Sequence, residues 1–225
     1  MLGDIHEFPA TPEQLSNDYH YQIRVRHGSE TIRDESGWMR QSIRTINADE
    51  SATLDALWQV REDYFPRGAD TYPRQWQLGH DSIDRVWTLF AIRVDTEWLR
   101  YSAEGAGERG LIFTHSPMAV GETYPEQRIR WPGETGIHEL RATVSVREKG
   151  MTRTRAGNIE AYRFSLDARS DDGEVTLQYR YWLNPKLGFV RETVVLEEHD
   201  PDHENRYFVT STERELEDYY TLLDQ

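Results

Sequence analysis

The densest group of potential metal ligands in this chain is His199-Asp200-Pro201-Asp202-His203-Glu204. Two imidazoles beside several carboxylates form a donor set suited to Zn²⁺ or another divalent ion. Pro201 lies between the two histidines, however, and works against the helical i, i+4 geometry that would make such spacing useful. An Asp-Pro-Asp turn between two strands accounts for the same residues, so no metal ligand is assigned. Glu192 is the second candidate. It falls between Val190 and Val194 on one face of a strand, which turns its carboxylate inward. A carboxylate in an apolar interior has a raised pKa and can serve as an acid or a base, or it can pair with an Arg. Both readings stay open. No other acid forms a recognisable pair with Glu192, so two-carboxylate glycoside hydrolysis lacks its second group.

Other catalytic signatures are missing from the sequence. It contains no G-x-S-x-G, no Walker loop and no H-E-x-x-H. Gly105-Ala106-Gly107-Glu108-Arg109-Gly110 resembles a dinucleotide fingerprint only in letters, because strands flank it and no helix follows. The absence of cysteine removes disulfides, thiolate nucleophiles and Cys-based metal sites. No catalytic residue and no cofactor is therefore assigned. The aromatics remain, with seven Trp and twelve Tyr. Such rings fill the core and mouth of a β-barrel, and they can also line an apolar ligand cavity. Trp76 and Trp131 lie in Pro/Gly-rich stretches and Trp98 in a strand. With Glu192, these three are the candidate ligand contacts.

The elements that must position these residues are strands. Tyr19 to Arg26 alternates apolar and polar with period two, and residues 31 to 46 pair with it after a turn at His27-Gly28-Ser29. Val86–Val94 and Thr96–Ala103 read as strong strands. Leu140, Ala142, Val144 and Val146 share one face of a strand whose other face is polar. Residues 156 to 198 read as three strands joined by turns at Ser170-Asp171-Asp172-Gly173 and Asn184-Pro185-Lys186-Leu187-Gly188. Residues 51 to 62 are ambiguous, because Leu54, Leu57, Trp58 and Arg61 recur at helical spacing. Asp63 to Asp84 and residues 115 to 137 read as irregular connections. Thr11-Pro12-Glu13-Gln14 carries the marks of a helix start. The expectation is a mainly β protein with a single antiparallel curved sheet, shaped as a half-open barrel or roll, and one to three short helices. One domain spans 1–225: an N-terminal extension over 1–18, the β roll over 19–215 and a C-terminal tail over 216–225.

Composition narrows the function classes. Forty acids against 26 bases give a net charge of −14, and only Lys149 and Lys186 among the bases are lysines. An acidic surface disfavours nucleic acid and anionic membranes as partners. No window approaches the roughly 18 apolar residues of a membrane helix, so a transmembrane protein is not expected. The stretch MLGDIHEFPA lacks the n-region and h-region of a leader. The expected compartment is the periplasm or cell envelope if a leader has been removed, and the cytoplasm otherwise.

Two motifs carry a family resemblance. Ala156-Gly157-Asn158-Ile159 begins one strand, and Tyr181-Trp182-Leu183-Asn184-Pro185-Lys186-Leu187-Gly188-Phe189-Val190 opens another. Upstream, Ser116-Pro117-Met118-Ala119-Val120-Gly121-Glu122-Thr123-Tyr124 fits the same pattern. Together, over about residues 86 to 215, they resemble periplasmic or lipoprotein-type β-domains of the bacterial cell envelope, loosely similar to the half-barrel of the lipoprotein carrier LolA. No lipobox cysteine is present. The resemblance implies a non-catalytic envelope domain that binds an apolar small molecule or lipid in a concave, aromatic-lined cavity. A structural module that binds a protein partner through its sheet edge and long loops is the alternative, and a hydrolase is the third reading.

The Asn184–Gly188 turn carries the sharpest local expectation. Pro185 fixes its own φ and pushes Asn184 towards an extended conformation. Gly188 then either takes a positive φ or permits close approach of a neighbouring strand. Trp182 is expected to pack beneath this turn.

Overall fold

Period-two alternation governs nearly the whole chain. The structure, a computed structural model, describes residues 15–46, 56–81, 84–103, 110–203 and 206–221. They form thirteen strands: β1 (Leu15–His27), β2 (Glu30–Ile46), β3 (Ala56–Pro66), β4 (Tyr72–Asp81), β5 (Val86–Val94), β6 (Glu97–Arg100), β7 (Leu111–His115), β8 (Gln127–Pro132), β9 (Ile137–Thr154), β10 (Gly157–Arg169), β11 (Val175–Asn184), β12 (Gly188–His199) and β13 (Tyr207–Thr221). All belong to one antiparallel sheet, in the order β6-β5-β4-β3-β2-β1-β13-β12-β11-β10-β9-β8, nearly closed into a barrel. β7 also pairs with β5, along Val86–Leu89, while β6 pairs along Ala91–Val94.

The two ends of this order meet. Ser102, just beyond β6, forms an antiparallel bridge with Ile129 of β8. Around it, the Ala103 N–H donates to the Arg128 carbonyl at 3.2 Å, and the Arg130 N–H donates to the Tyr101 carbonyl. Lower down, the Gln127 side chain stands in for a strand. Its carbonyl accepts the Ile112 N–H at 2.7 Å, and its amide donates to the Ile112 carbonyl at 3.0 Å. Edge groups that would otherwise lack partners are thereby satisfied.

A ring of this many strands is wider than an eight-stranded barrel, and its interior needs large side chains to fill it. Because neighbours are antiparallel, the turns at 28–29, 67–71, 95–96, 133–136 and 170–174 and the turn that begins at Asp200 all lie at one end, the mouth. Towards the opposite end an aromatic plug closes the interior. Phe164 stacks on Tyr181 at 4.8 Å, and Phe113 and Phe189 pack against the Tyr181 ring. The Tyr181 hydroxyl donates to the Phe113 carbonyl.

No helix occurs among the described residues, in contrast to the one to three expected. The candidate helix start at Thr11–Gln14 lies outside them. Residues 56–66, with their helical spacing of apolar groups, are strand β3, where Trp58, Val60, Glu62 and Tyr64 point inward. The irregular connection expected over 63–84 contains β4, and that over 115–137 contains β8. Charged groups at inward positions, Glu62 and Arg74, broke the apolar alternation and hid β3 and β4, while β8 is six residues long with Ile129 as its single buried residue. Trp76 and Trp131 consequently sit on strands and not in loops. The tail expected from 216 is the second half of β13 as far as Thr221. The three strands and two turns over 156–198 are present as β10, β11 and β12.

Gly188 takes φ +81°, and the space around its Cβ position is open, so conformation and not crowding excludes a side chain there. Trp182 is half-buried, packed against the buried cluster that includes Tyr19, Ala161 and Val190, and lies under the Arg191 guanidinium, so its ring is only partly covered. Gly188→Ala is expected to destabilise by about 1 kcal/mol, and Gly188→Val by more, because a β-branched residue is excluded more severely at positive φ. Trp182→Ala is expected to lose about 1–2 kcal/mol, short of the 3–5 typical of a fully buried ring. Urea midpoints of the three variants check the ranking, and a Gly188→Val protein as stable as the parent would contradict it.

Candidate functional site

Inside the mouth lies a cavity of about 480 Å³. Its apolar wall includes Leu89, Ile92, Tyr101, Phe189, Val194 and Leu196, together with Trp76 and Trp131. Its polar floor is an ion cluster. Glu62 of β3, Glu192 of β12 and Arg214 of β13 converge because Glu192 and Arg214 are directly paired in the ladder and all three point inward. Arg214 Nη1 donates to Glu62 Oε1 at 2.5 Å, and Nη2 to Glu192 Oε2 at 2.9 Å. Glu62 also accepts the Trp76 indole N–H at 2.9 Å, the Tyr64 hydroxyl at 3.0 Å and the Gln41 amide at 3.4 Å. Glu192 accepts the Tyr179 hydroxyl.

The two carboxylates share one cation but differ in charge preference. Burial raises both. At Glu62, Arg214 and the Trp76 and Tyr64 donors outweigh burial and hold the carboxyl below its usual range. At Glu192 only Arg214 and Tyr179 oppose burial, the Glu62 charge adds to it, and the carboxyl is pushed up. Arg214 is held protonated, its guanidinium raised well above the ordinary value by the two carboxylates despite burial.

A third carboxylate shapes the mouth. Glu198, buried near the end of β12, accepts the Glu134 N–H at 2.9 Å, the Thr135 N–H at 3.0 Å, the Thr135 hydroxyl at 2.9 Å and the His138 ring at 2.7 Å. These donors belong to the β8–β9 turn and the start of β9, so the bond crosses the barrel and fixes Gly133 and Glu134 at the rim. A Cβ on Gly133 would collide with the Glu198 carboxylate. Burial works against the Glu198 charge, but the N–H donors, His138 and the hydroxyl outweigh it and lower its pKa.

The sequence candidates divide as follows. Trp76, Trp131 and Glu192 line the cavity together. Trp76 is 8% exposed with its N–H bound to Glu62, and Trp131 packs near Tyr101 and Tyr179 at 5.4 and 6.1 Å. Trp98, on β6, is 39% exposed and does not line the cavity. Glu62, Arg214, Arg74 and Tyr179 were missed. The signal for them was a charge or hydroxyl at an inward position of a period-two run.

At 199–203 the structure confirms a turn and brings in a residue from far away. His27 Nε2 and His203 Nδ1 both approach Asp200 Oδ2, at 2.6 and 2.8 Å, while His199 packs edge-on to Tyr207. These are hydrogen-bond distances to one shared acceptor, and Asp200 also accepts the Asp202 N–H through Oδ1 at 2.9 Å. The ligand atoms of His27, Asp200 and His203 lie within 4.8 Å of one another, a spacing compatible with a divalent ion as well as with the hydrogen bonds of a pinned turn.

No protein-family model matches the chain, and no curated protein matches it. Among solved structures, a "putative exported protein with YmcC-like fold" from Bacteroides fragilis aligns over 93% of this chain and 96% of its own, with 10% identity and a TM-score of 0.46. A "putative lipoprotein" from Parabacteroides distasonis aligns over 94% and 97%, with 11% identity and a TM-score of 0.44. Scores below 0.5 at such identity do not establish common ancestry, and neither likeness assigns a function to this chain. Among the described residues no helix is long and apolar enough to cross a membrane.

Replacing Arg214 with Leu leaves two buried carboxylates without their cation, and a loss of about 3–5 kcal/mol is expected. Adding Glu62→Gln and Glu192→Gln should recover part of it, because the unpaired charges are then gone. Additive losses in the triple variant would show that the three residues do not act as a unit. Glu198 sets an acid-side dependence. Its folded pKa lies below its unfolded value of about 4.3, so its stabilisation is complete above that pH and is lost as pH falls through the folded pKa. Glu198→Gln should therefore lower stability at pH 7 by about 1–3 kcal/mol and flatten the decline between pH 5 and 3. Urea unfolding across that range checks both, and an unchanged acid slope would contradict the assignment.

Proposed function

We propose that this protein is a non-catalytic binding module that holds a small molecule with an apolar body in the barrel cavity. The observation that carries the proposal is the cavity, about 480 Å³ and walled by Trp76, Trp131, Leu89, Ile92, Phe189 and Leu196. Its size falls within the range of small-molecule sites. The non-catalytic reading is supported by the engagement of both acids: Glu62 and Glu192 are each held by Arg214 and by neighbouring donors. A cell-envelope setting is the reading that the Ala156–Ile159 and Tyr181–Val190 motifs favour. Binding a partner through the sheet edges is the weaker reading, because β6 and β8 meet at Ser102 and Ile129.

The uncharged fluorophore N-phenyl-1-naphthylamine tests the cavity without reference to charge. Saturable binding at one site per chain is expected. Val194→Trp places an indole in the cavity wall and should weaken binding at least tenfold while the protein stays folded by circular dichroism. Absence of saturable binding, or equal affinity in the Val194→Trp protein, would overturn the proposal.

A further inference from the structure

Four guanidinium groups line the cavity, and their surroundings differ. Arg214 is enclosed by Glu62 and Glu192. Arg33 donates to Glu35 at 2.7 Å and reaches the Tyr72 hydroxyl at 3.4 Å, and the Glu134 charge also acts on it. Arg93 is exposed and donates to Gln75 at 3.0 Å. Arg74 has no hydrogen bond or ion pair among the described residues. Its guanidinium lies over the rings of Tyr64 and Tyr72, with centroids at 5.2 and 5.9 Å, and those two rings are themselves stacked at 5.1 Å. Stacking on the rings holds the guanidinium in place without using its five N–H donors. The carboxylate directly opposite Arg74 in the ladder, Glu62, is already occupied by Arg214, Trp76, Tyr64 and Gln41.

We propose that the cavity's ligand carries an anionic end, a carboxylate or phosphate monoester, which Arg74 receives with Arg33 as the second cation beside Tyr72. The apolar body lies deeper, against Trp76 and Phe189. The order along β4 supports this arrangement, since Tyr72 and Arg74 are nearer the mouth than Trp76. A guanidinium suits this role because its planar fork binds a carboxylate or phosphate through two parallel hydrogen bonds. The other lining acids, Asp95 and Glu134, stand exposed at the rim, where water screens them. The inference rests on the cavity-binding function above.

The experiment is displacement of N-phenyl-1-naphthylamine from the full chain by three ligands with one tail: dodecanol, dodecanoate and dodecyl phosphate. At least one anion should bind tenfold or more tightly than the alcohol, and which anion does so separates a carboxylate source from a phosphate source. Arg74→Gln should bring the anion-to-alcohol ratio within twofold, with the loss falling mainly on the anions. Arg74→Lys should keep part of the preference. Equal affinities for alcohol and anions in the parent protein would overturn the inference and leave the cavity reading standing. So would a preference that survives Arg74→Gln. Failure of the fluorophore to bind at all would instead remove the cavity reading and this inference with it. If Arg74→Gln does not fold, the parent ratio and the Arg74→Lys protein decide.

Discussion

Arg214 joins parts of the sheet that are not neighbours. β3 and β13 are separated in the ladder by β2 and β1, so the Arg214–Glu62 pair is a chord across a curved sheet. The Glu192 arm runs to the adjacent strand, and together they fix how tightly β13, β1, β2 and β3 curl. Such a buried cluster gives little net stability compared with well-packed apolar groups, because desolvating the charges offsets their attraction. Its contribution is geometric: leaving any one member unpaired is severe, so the strands keep the spacing at which both bonds to Arg214 form.

That spacing divides the interior. Below the cluster, Phe113, Phe164 and Tyr181 fill the ring and satisfy their single buried hydroxyl internally, and Phe189 covers them from the cavity side. Above it the walls stay apart, and the Glu198 carboxylate holds the β8–β9 turn at the rim from across the barrel. The floor's two carboxylates share Arg214, and the Arg74 charge also acts on Glu62; Arg74, stacked on two tyrosines nearer the mouth, is the cation with donors to offer. An apolar wall, an internally hydrogen-bonded floor and one such cation are the ingredients of an amphipathic site, and each follows from the side chains that alternate inward along β3, β4, β12 and β13.

Much of the fold was legible in the sequence wherever the inward face was purely apolar. Leu140, Ala142, Val144 and Val146 announced β9, and the Gly173 and Gly188 turns delimited β10 to β12. Legibility failed where the inward face carries charge. Trp58-x-Val60-x-Glu62-x-Tyr64 and Tyr72-x-Arg74-x-Trp76-x-Leu78 are regular strands whose alternation is interrupted by the site itself. Glu192 was readable because valines flank it at two-residue spacing. Its partners were not, because Arg214 and Tyr179 lie on other strands, 22 and 13 positions away, and no local pattern links an acid to a base on another strand. Separation in sequence likewise hid His27, which meets Asp200 only after β1 and β13 pair. Trp98 shows the converse error, since an aromatic on a strand is not thereby turned inward.

The central claim is that a hollow, one-ended cavity receives an amphipathic anion head-outward. A crystal structure of the protein soaked with 12-bromododecanoate tests it most directly, because bromine marks the tail by anomalous scattering. The account predicts one bromine peak deep in the cavity near Phe189, with the carboxylate density against Arg74. Bromine at the mouth, or bound only on the outer surface with the cavity filled by side chains, would contradict it.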